Sequence, residues 1–348
     1  MNTGEKTVEK HGKFYSVFQD LLAHLPVRSQ KIVAKRFGVT EEKPLTLQAI
    51  GDEYEITRER VRQIVQSGLK SVHTAEHDAY VSARDEIIAI VNDRHGIISE
   101  AQIIDALGNN NYSENGSIRF FIEGMPELDV INTKKYPVAD RIIVVSDFDV
   151  NKWHSVHNTV KNLLEDKEEV HTHDMIHKHI VDDYDDITPE QLVNYLAVSR
   201  EIASNPFNKW GLVEWDDISP RGVREKALLI MKEKNTPMHF REIASAIDEY
   251  GLGKMGRKSH PQTVHNELIR DDNFVLVGRG VYALNTEEYV EGTVKDVIED
   301  VLKRSPEPLT ADEVVDRVLE MRYVKPSTVK VNLNAVAKKL NKDKKYTL

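Results

Sequence analysis

Five polar side chains in TRERVRQIVQSGLK, residues 57–70, fall on one arc when the chain is wound at about 100° per residue. Arg58, Glu59, Arg62, Gln63 and Gln66 share that arc, and Val61, Ile64, Val65, Gly68 and Val72 share the opposite one. The polar set suits the base-pair edges in a DNA major groove. An Arg fork pairs bidentately with guanine, a Gln amide with adenine, and a carboxylate accepts from the cytosine amine. These residues stand in the first half of the expected helix, the part that reaches base edges when such a helix docks. A solvated charged face on an ordinary helix is the plain alternative, and a lone stretch would not decide between the two.

The flanking residues favour the reader. Thr46 precedes LQAIGDEY and Thr57 precedes RERVRQIVQSGLKSV, each placed to cap a helix by accepting from a free N–H. Leu45 with Ile50, and Ile56 with Val61, have the spacing of apolar staples that fix how the chain enters each helix. Only Glu55 and Ile56 are left for the turn, and a short helix, a tight turn and a longer helix describe a helix-turn-helix.

TLQAIGDEYEITRERVRQI resembles region 4 of the sigma-70 family, the part of a bacterial sigma factor that reads the −35 promoter element. The preceding LPVRSQKIVAKRFG is similar to the helix before it in that family, and the resemblance covers about residues 25–73. It implies that Arg58, Glu59, Arg62 and Gln63 read bases. Arg60 and Lys70, joined by Thr57 and Gln66, are the implied backbone contacts. It also implies a grip on the β flap of core RNA polymerase through roughly residues 27–38. In the family, an aromatic-rich region 2 that melts the −10 element lies before region 4. Only about 25 residues precede the match here, so the expectation is a chain that is not a self-sufficient sigma factor.

Beyond residue 80 four segments align without gaps: SEAQIIDAL from Ser99, THDMIHKHI from Thr172, HFREIASAI from His239 and TADEVVDRV from Thr310. Their starts are 73, 67 and 71 residues apart, a period that marks a repeat architecture. Apolar residues recur at Ile103, Ile176, Ile243 and Val314, and again at Leu107, Ile180, Ile247 and Val318. Ser99 with Gln102 and Thr310 with Glu313 have capping-box spacing. Each segment is preceded by a helical pattern and followed by a third helix and a short β-rich stretch. Three helices closed by a small hairpin make a winged helix. The expected fold is therefore mainly α with small β wings, a helix-turn-helix over 1–78 followed by four winged-helix units at 79–150, 151–219, 220–289 and 290–348.

The third unit, with MKEKNTPMHFREIASAI and HPQTVHNELIRDDNFVLVGRGVYAL, resembles the HARE-HTH domain. That family occurs in the delta subunit of bacterial RNA polymerase, in chromatin proteins and beside restriction enzymes. The resemblance implies a DNA- or polymerase-associated adaptor. His260, Gln262, Thr263, Asn266 and Arg270 are the groove-facing candidates on its third helix, with Arg279 at the wing tip. Residues 324–348 hold seven Lys against one Asp. They suit phosphates or a solubilising tail equally well.

The chain's net charge of −10 is uneven, since residues 76–219 carry 28 acidic side chains against 12 basic ones. Phosphate contacts dominate nucleic-acid affinity, so the middle two units read as spacers or protein-facing modules. The absence of cysteine removes disulfides, thiolate metal sites and a cysteine nucleophile. His173 and His177 have metal-ligand spacing, but HTHDMIHKH lacks a metallohydrolase's Glu, and Asp182, Asp183, Asp185 and Asp186 lack an EF-hand's Gly and Glu. There is no phosphate-binding or nucleophile motif. The expectation is a DNA-binding, polymerase-associated transcription factor without enzymatic activity, cofactor, small-molecule substrate or membrane span, cytoplasmic and nucleoid-associated. Its rivals are a delta-like accessory subunit that reads no bases, and the DNA-recognition partner of a restriction or defence nuclease.

Overall fold

Local capping sets the helix starts of the first module. Thr46 Oγ1 accepts from Ala49 N at 3.1 Å and Thr57 Oγ1 from Arg60 N at 3.2 Å. The helices are α1 (Lys13–Leu22), α2 (Val27–Phe37), α3 (Leu47–Tyr54) and α4 (Arg58–His73). Helix α2 ends on Gly38, whose φ of 75° is the left-handed conformation that glycine adopts freely. This computed structural model describes residues 12–108, 111–131, 134, 136–139, 141–285, 292–340 and 345–347.

After α4 one order of elements recurs four times: helix, strand, helix, helix, strand, strand. The first set is α5 (Asp78–Asp93), β1 (Ile97–Ser99), α6 (Glu100–Leu107), α7 (Tyr112–Gly124), β2 (Leu128–Ile131) and β3 (Ile142–Val145). The second is α8 (Val150–Lys167), β4 (His171–Thr172), α9 (His173–Ile180), α10 (Pro189–Ala197), β5 (Ile202–Ser204) and β6 (Lys209–Leu212). The third is α11 (Val223–Lys234), β7 (Met238–His239), α12 (Phe240–Glu249), α13 (Pro261–Arg270), β8 (Phe274–Gly278) and β9 (Val281–Leu284). The fourth is α14 (Val294–Arg304), β10 (Leu309–Thr310), α15 (Ala311–Met321), α16 (Pro326–Val336), β11 (Lys338–Leu340) and β12 (Lys345–Thr347).

In every set the last strand lies between the other two, in the orders β1-β3-β2, β4-β6-β5, β7-β9-β8 and β10-β12-β11. The sequence pattern shows only a hairpin. The added strand is two or three residues long and runs straight into the second helix, too short to show an alternation of its own. The aligned positions Ile103, Ile176, Ile243 and Val314 are all fully buried. The capping boxes at Ser99–Gln102 and Thr310–Glu313 are both closed. Part of the lysine-rich tail, residues 341–344 and 348, and most of the linker 285–292 lie outside the described residues.

The chain packs as two compact units, residues 1–203 with 210–213, and 204–209 with 214–348. Within the first, the boundary expected at 78 does not fall at a break in the core. A single cluster runs from Phe14 and Phe18 of α1, through Ile32, Phe37, Ile50, Val61 and Val65 of the helix-turn-helix, to Ile118, Phe120 and Phe121 of α7. Phe120 stands edge-on to Phe18 and Phe37, with ring centroids 5.0 and 5.4 Å away. Phe121 meets Phe14 at 6.1 Å and Tyr80 at 6.0 Å. Helix α7 comes this close because it carries glycine where it crosses its neighbours. A Cβ on Gly116 would sit 2.5 Å from the Val39 amide nitrogen, and one on Gly124 would sit 2.8 Å from a Val72 methyl. Glu114, 2% exposed, accepts from the Phe14 and Tyr15 amides at 3.1 and 3.3 Å and so satisfies free N–H groups at the start of α1.

The second winged unit joins the same body. Asn194 Nδ2 lies 2.7 Å from His95 Nδ1, and Ala139 bridges to Ser199. His177, weighed above as a metal ligand, hydrogen-bonds through Nε2 to the Ile187 carbonyl at 2.7 Å, and Asp186 ion-pairs with Lys152.

Phe120→Ala is expected to cost about 3–5 kcal/mol of stability. Native-state hydrogen exchange should show amides of α2 and α4 losing protection together with those of α7. Unchanged exchange in α2 and α4 would mean that the two modules do not share a core energetically.

Candidate nucleic-acid interface

Helix α4 is held from behind. Val61, Val65, Gly68 and Val72 are buried and Ile64 is half-buried, while Arg58, Glu59, Arg62, Gln63, Gln66 and Lys70 are exposed, as are Thr57 and Arg60. Each polar residue singled out in the sequence is thus available to a ligand. The turn before α4 is as tight as expected. Glu55 takes a left-handed φ of 53°, and a Cβ on Gly51 would sit 2.8 Å from the Ile56 carbonyl oxygen, so α3 meets the turn at glycine. Behind the helices Lys35 ties the loop after α2 to α3, reaching Glu41 at 2.5 Å and Glu53 at 3.0 Å. The two carboxylates hold its ammonium well above the usual lysine range.

Two of the four base-reading candidates hold each other. The Arg62 guanidinium forks onto Glu59, with Nε to Oε2 at 2.8 Å and Nη2 to Oε1 at 2.6 Å. The Arg62 hydrogen bonds pull the Glu59 carboxyl below its ordinary range, and Glu59 pushes Arg62 up. An exposed pair of this kind contributes about 0–1 kcal/mol. It can therefore be exchanged for a guanine fork and a cytosine amine at little cost. Arg60 Nη1 donates to Gln63 Oε1 at 3.2 Å, and these two line a hollow with Leu25, Pro26 and Ser29. On α2, Val27, Arg28 and Lys31 face solvent, and Arg28 is anchored through the Tyr54 carbonyl oxygen at 2.5 Å.

The second surface belongs to the other compact unit. Helix α13 buries Val264 and Leu268 and exposes Gln262, Thr263, Asn266 and Arg270, with His260 as its N-cap residue. Gln262 Nε2 donates to Asn266 Oδ1 at 3.1 Å. The wing turns on Arg279 and Gly280, and Arg279 is exposed at its tip. Gly280 has a φ of 71°, and a Cβ there would sit 2.8 Å from His239 Nε2 and 3.0 Å from the Phe240 ring. The tip can lie against the start of α12 only because this residue is glycine. Sequence reasoning missed residues 251–258 between α12 and α13, which carry Lys254, Arg257 and Lys258, all exposed. Three cations without an acidic neighbour were the signal available for them.

In the middle units the third helices are used differently. Helix α7 is core, as shown above, and its one cation, Arg119, is paired with Glu100 at 3.0 Å. Among the described residues no three His, Asp or Glu side chains are grouped to hold a metal ion, and no helix is long and apolar enough to cross a membrane.

Comparison with protein families agrees with the two surfaces. Residues 21–73 match sigma-70, region 4, and residues 222–286 match HARE-HTH, a restriction endonuclease HTH domain. Both are helix-turn-helix domains of DNA-binding type, and neither is an enzymatic domain. The first match starts within α1, whose pattern KFYSVFQDLL the sequence reasoning left unassigned.

The Glu59–Arg62 pair has a pH signature. With the folded pKa of Glu59 lowered, the pair is intact above the ordinary Glu range and is lost as pH falls through that lowered value. An NMR titration of the Glu59 carboxyl should give a midpoint below that of ordinary glutamates, moving up towards them in Arg62→Ala. Equal midpoints in the two proteins would contradict the pairing. Separately, Thr57→Ala is expected to cost about 1 kcal/mol in chemical denaturation by uncapping α4.

Proposed function

We propose that this protein is a sequence-specific DNA-binding transcription factor that reads −35-type promoter DNA through α4 and associates with core RNA polymerase. Arg58, Glu59, Arg62 and Gln63 are the base readers. Thr57, Arg60, Gln66 and Lys70 contact the backbone beside them. The observation that carries this reading is the two-sided burial of α4: a wholly apolar face locked into the core, and a solvent face of base-reading side chains at its N-terminal end, within the segment that matches sigma-70, region 4. The exposed flank of α2, with Val27, Arg28 and Lys31, is the surface proposed for the polymerase β flap. Gln262, Thr263, Asn266, Arg270 and Arg279 add backbone contacts from the third winged unit, which increase affinity without selecting sequence. A nucleoid-associated location follows from this role.

The match at 222–286 favours a second reading, in which the chain is the DNA-recognition partner of a restriction or defence nuclease. A tagged pull-down from the native host separates the two: core RNA polymerase supports the promoter reading, and a nuclease in its place supports the other. A delta-like accessory role would combine tight polymerase binding with indifference to the −35 sequence.

Arg62→Ala is expected to weaken binding to a −35-type duplex by about 1–3 kcal/mol and to relax base choice at one position. Anisotropy titrations against duplexes substituted one base pair at a time measure both. A uniform loss across all sequences would remove Arg62 from base reading.

A further inference from the structure

We propose that the loop between α12 and α13, residues 251–258, is a second DNA contact that inserts Met255 into the minor groove while its cations hold the flanking phosphates. The proposal rests on the reading of this chain as a DNA-binding protein.

The loop sequence is GLGKMGRK, with three cations, three glycines and no acidic residue. Its ends are fixed. Leu252 N donates to the Ile247 carbonyl at 2.9 Å, and Gly251 N to the Asp248 carbonyl at 3.1 Å. At the far end Ser259 donates to the Asp248 carboxylate, from its amide at 3.0 Å and from its hydroxyl at 2.7 Å. The tip is a turn in which Arg257 N donates to the Lys254 carbonyl at 3.0 Å, with Gly256 at a φ of 73°. Positive φ at the third position is what a type II turn requires.

Met255 stands at this tip with a relative exposure of 104%, the highest of the exposed large apolar side chains among the described residues. Around it is open space, since a Cβ on Gly251 or Gly256 would meet nothing within 4 Å. The fold gains no burial from Met255. No other strongly exposed large apolar residue lies between it and Ile269, so the tip is not part of an apolar patch of the kind that protein partners cover. A lone apolar side chain raised on a cationic turn instead has the form of the wedges, Met among them, that minor-groove proteins slide between base steps. The loop leads directly into the proposed DNA face. Lys258, Ser259, His260 and Pro261 line one groove with Arg241, and the two carboxylates in it are engaged, Asp248 by Ser259 and Glu249 by Ser245.

The test uses the full-length chain and two duplexes, one with a −35-type element and one of scrambled sequence, each carrying 2-aminopurine at successive steps. The wild type should brighten 2-aminopurine at one register, the mark of an unstacked step. Met255→Ala should abolish the brightening and weaken binding about tenfold with the salt dependence unchanged. Replacing Lys254, Arg257 and Lys258 together by Gln should lower the slope of log K against log salt by about two to three. Both variants should melt like the wild type, since these side chains stand in solvent.

No brightening at any register, or an unchanged salt slope in the triple variant, overturns the proposal. So does a co-purifying protein that is lost with Met255→Ala while DNA binding stays the same. Arg62→Ala assayed alongside keeps the two readings separate. If it alone changes the binding, the promoter reading stands and the loop proposal falls. If only the loop variants change it, the loop contact stands and promoter reading falls.

Discussion

Phe120 and Phe121, adjacent on α7, fill the space between modules that the chain writes one after the other. Phe120 packs against α1 and α2, and Phe121 against α1 and α5, so a helix of the first winged unit completes the core of the helix-turn-helix. The fit needs backbone-close approach, which Gly116 and Gly124 permit. It also needs a partner for the amides at the start of α1, which Glu114 provides from within the core. The exposed arc of α4 is therefore carried on a body larger than its own module. A reader held this way keeps its side chains at a fixed pitch, and side-chain pairing such as Glu59 with Arg62 can prearrange them.

The four winged units show one local code put to different uses. Every second helix begins on a capping side chain, Ser99, Thr172, His239 or Thr310, and every sheet has the same order. What differs is the outer face of the third helix. In α7 that face is aromatic and glycine-rich and is buried; in α13 it is Gln, Thr, Asn and Arg and is exposed. The acidic charge of residues 76–219 fits this division, because a unit spent on packing needs no attraction for phosphate.

Contacts inside the second compact unit follow the same economy. Arg322, 7% exposed, donates through Nη1 to the Leu276 carbonyl at 2.8 Å, and Tyr323 N donates to the Val277 carbonyl at 3.0 Å. The chain between α15 and α16 thus covers the edge of β8, satisfying backbone groups that a sheet edge would otherwise offer to another strand. Burial lowers the Arg322 pKa, but the group stays charged because an arginine starts so high.

The sequence by itself determined the elements and the outward face of the reader. Thr46 and Thr57 announced two helix starts, a period of about 70 residues announced the repeat, and the sorting of α4 into Arg58, Glu59, Arg62 and Gln63 against Val61, Val65, Gly68 and Val72 held residue by residue. These are local properties, set by capping geometry and helical pitch within a few residues. Tertiary structure alone decided that α7 belongs to two modules, that Glu59 and Arg62 are closed on each other, and that Met255 stands clear of the core. Helical periodicity tells that one face of α7 is apolar, but not whether the surface it covers lies in its own repeat or in the module before it. Three-residue strands such as β1 carry no period at all and exist only because the hairpin beside them offers an edge. Burial and side-chain partnership depend on residues far apart in the chain, such as Phe18 and Phe120, and only folding brings them together.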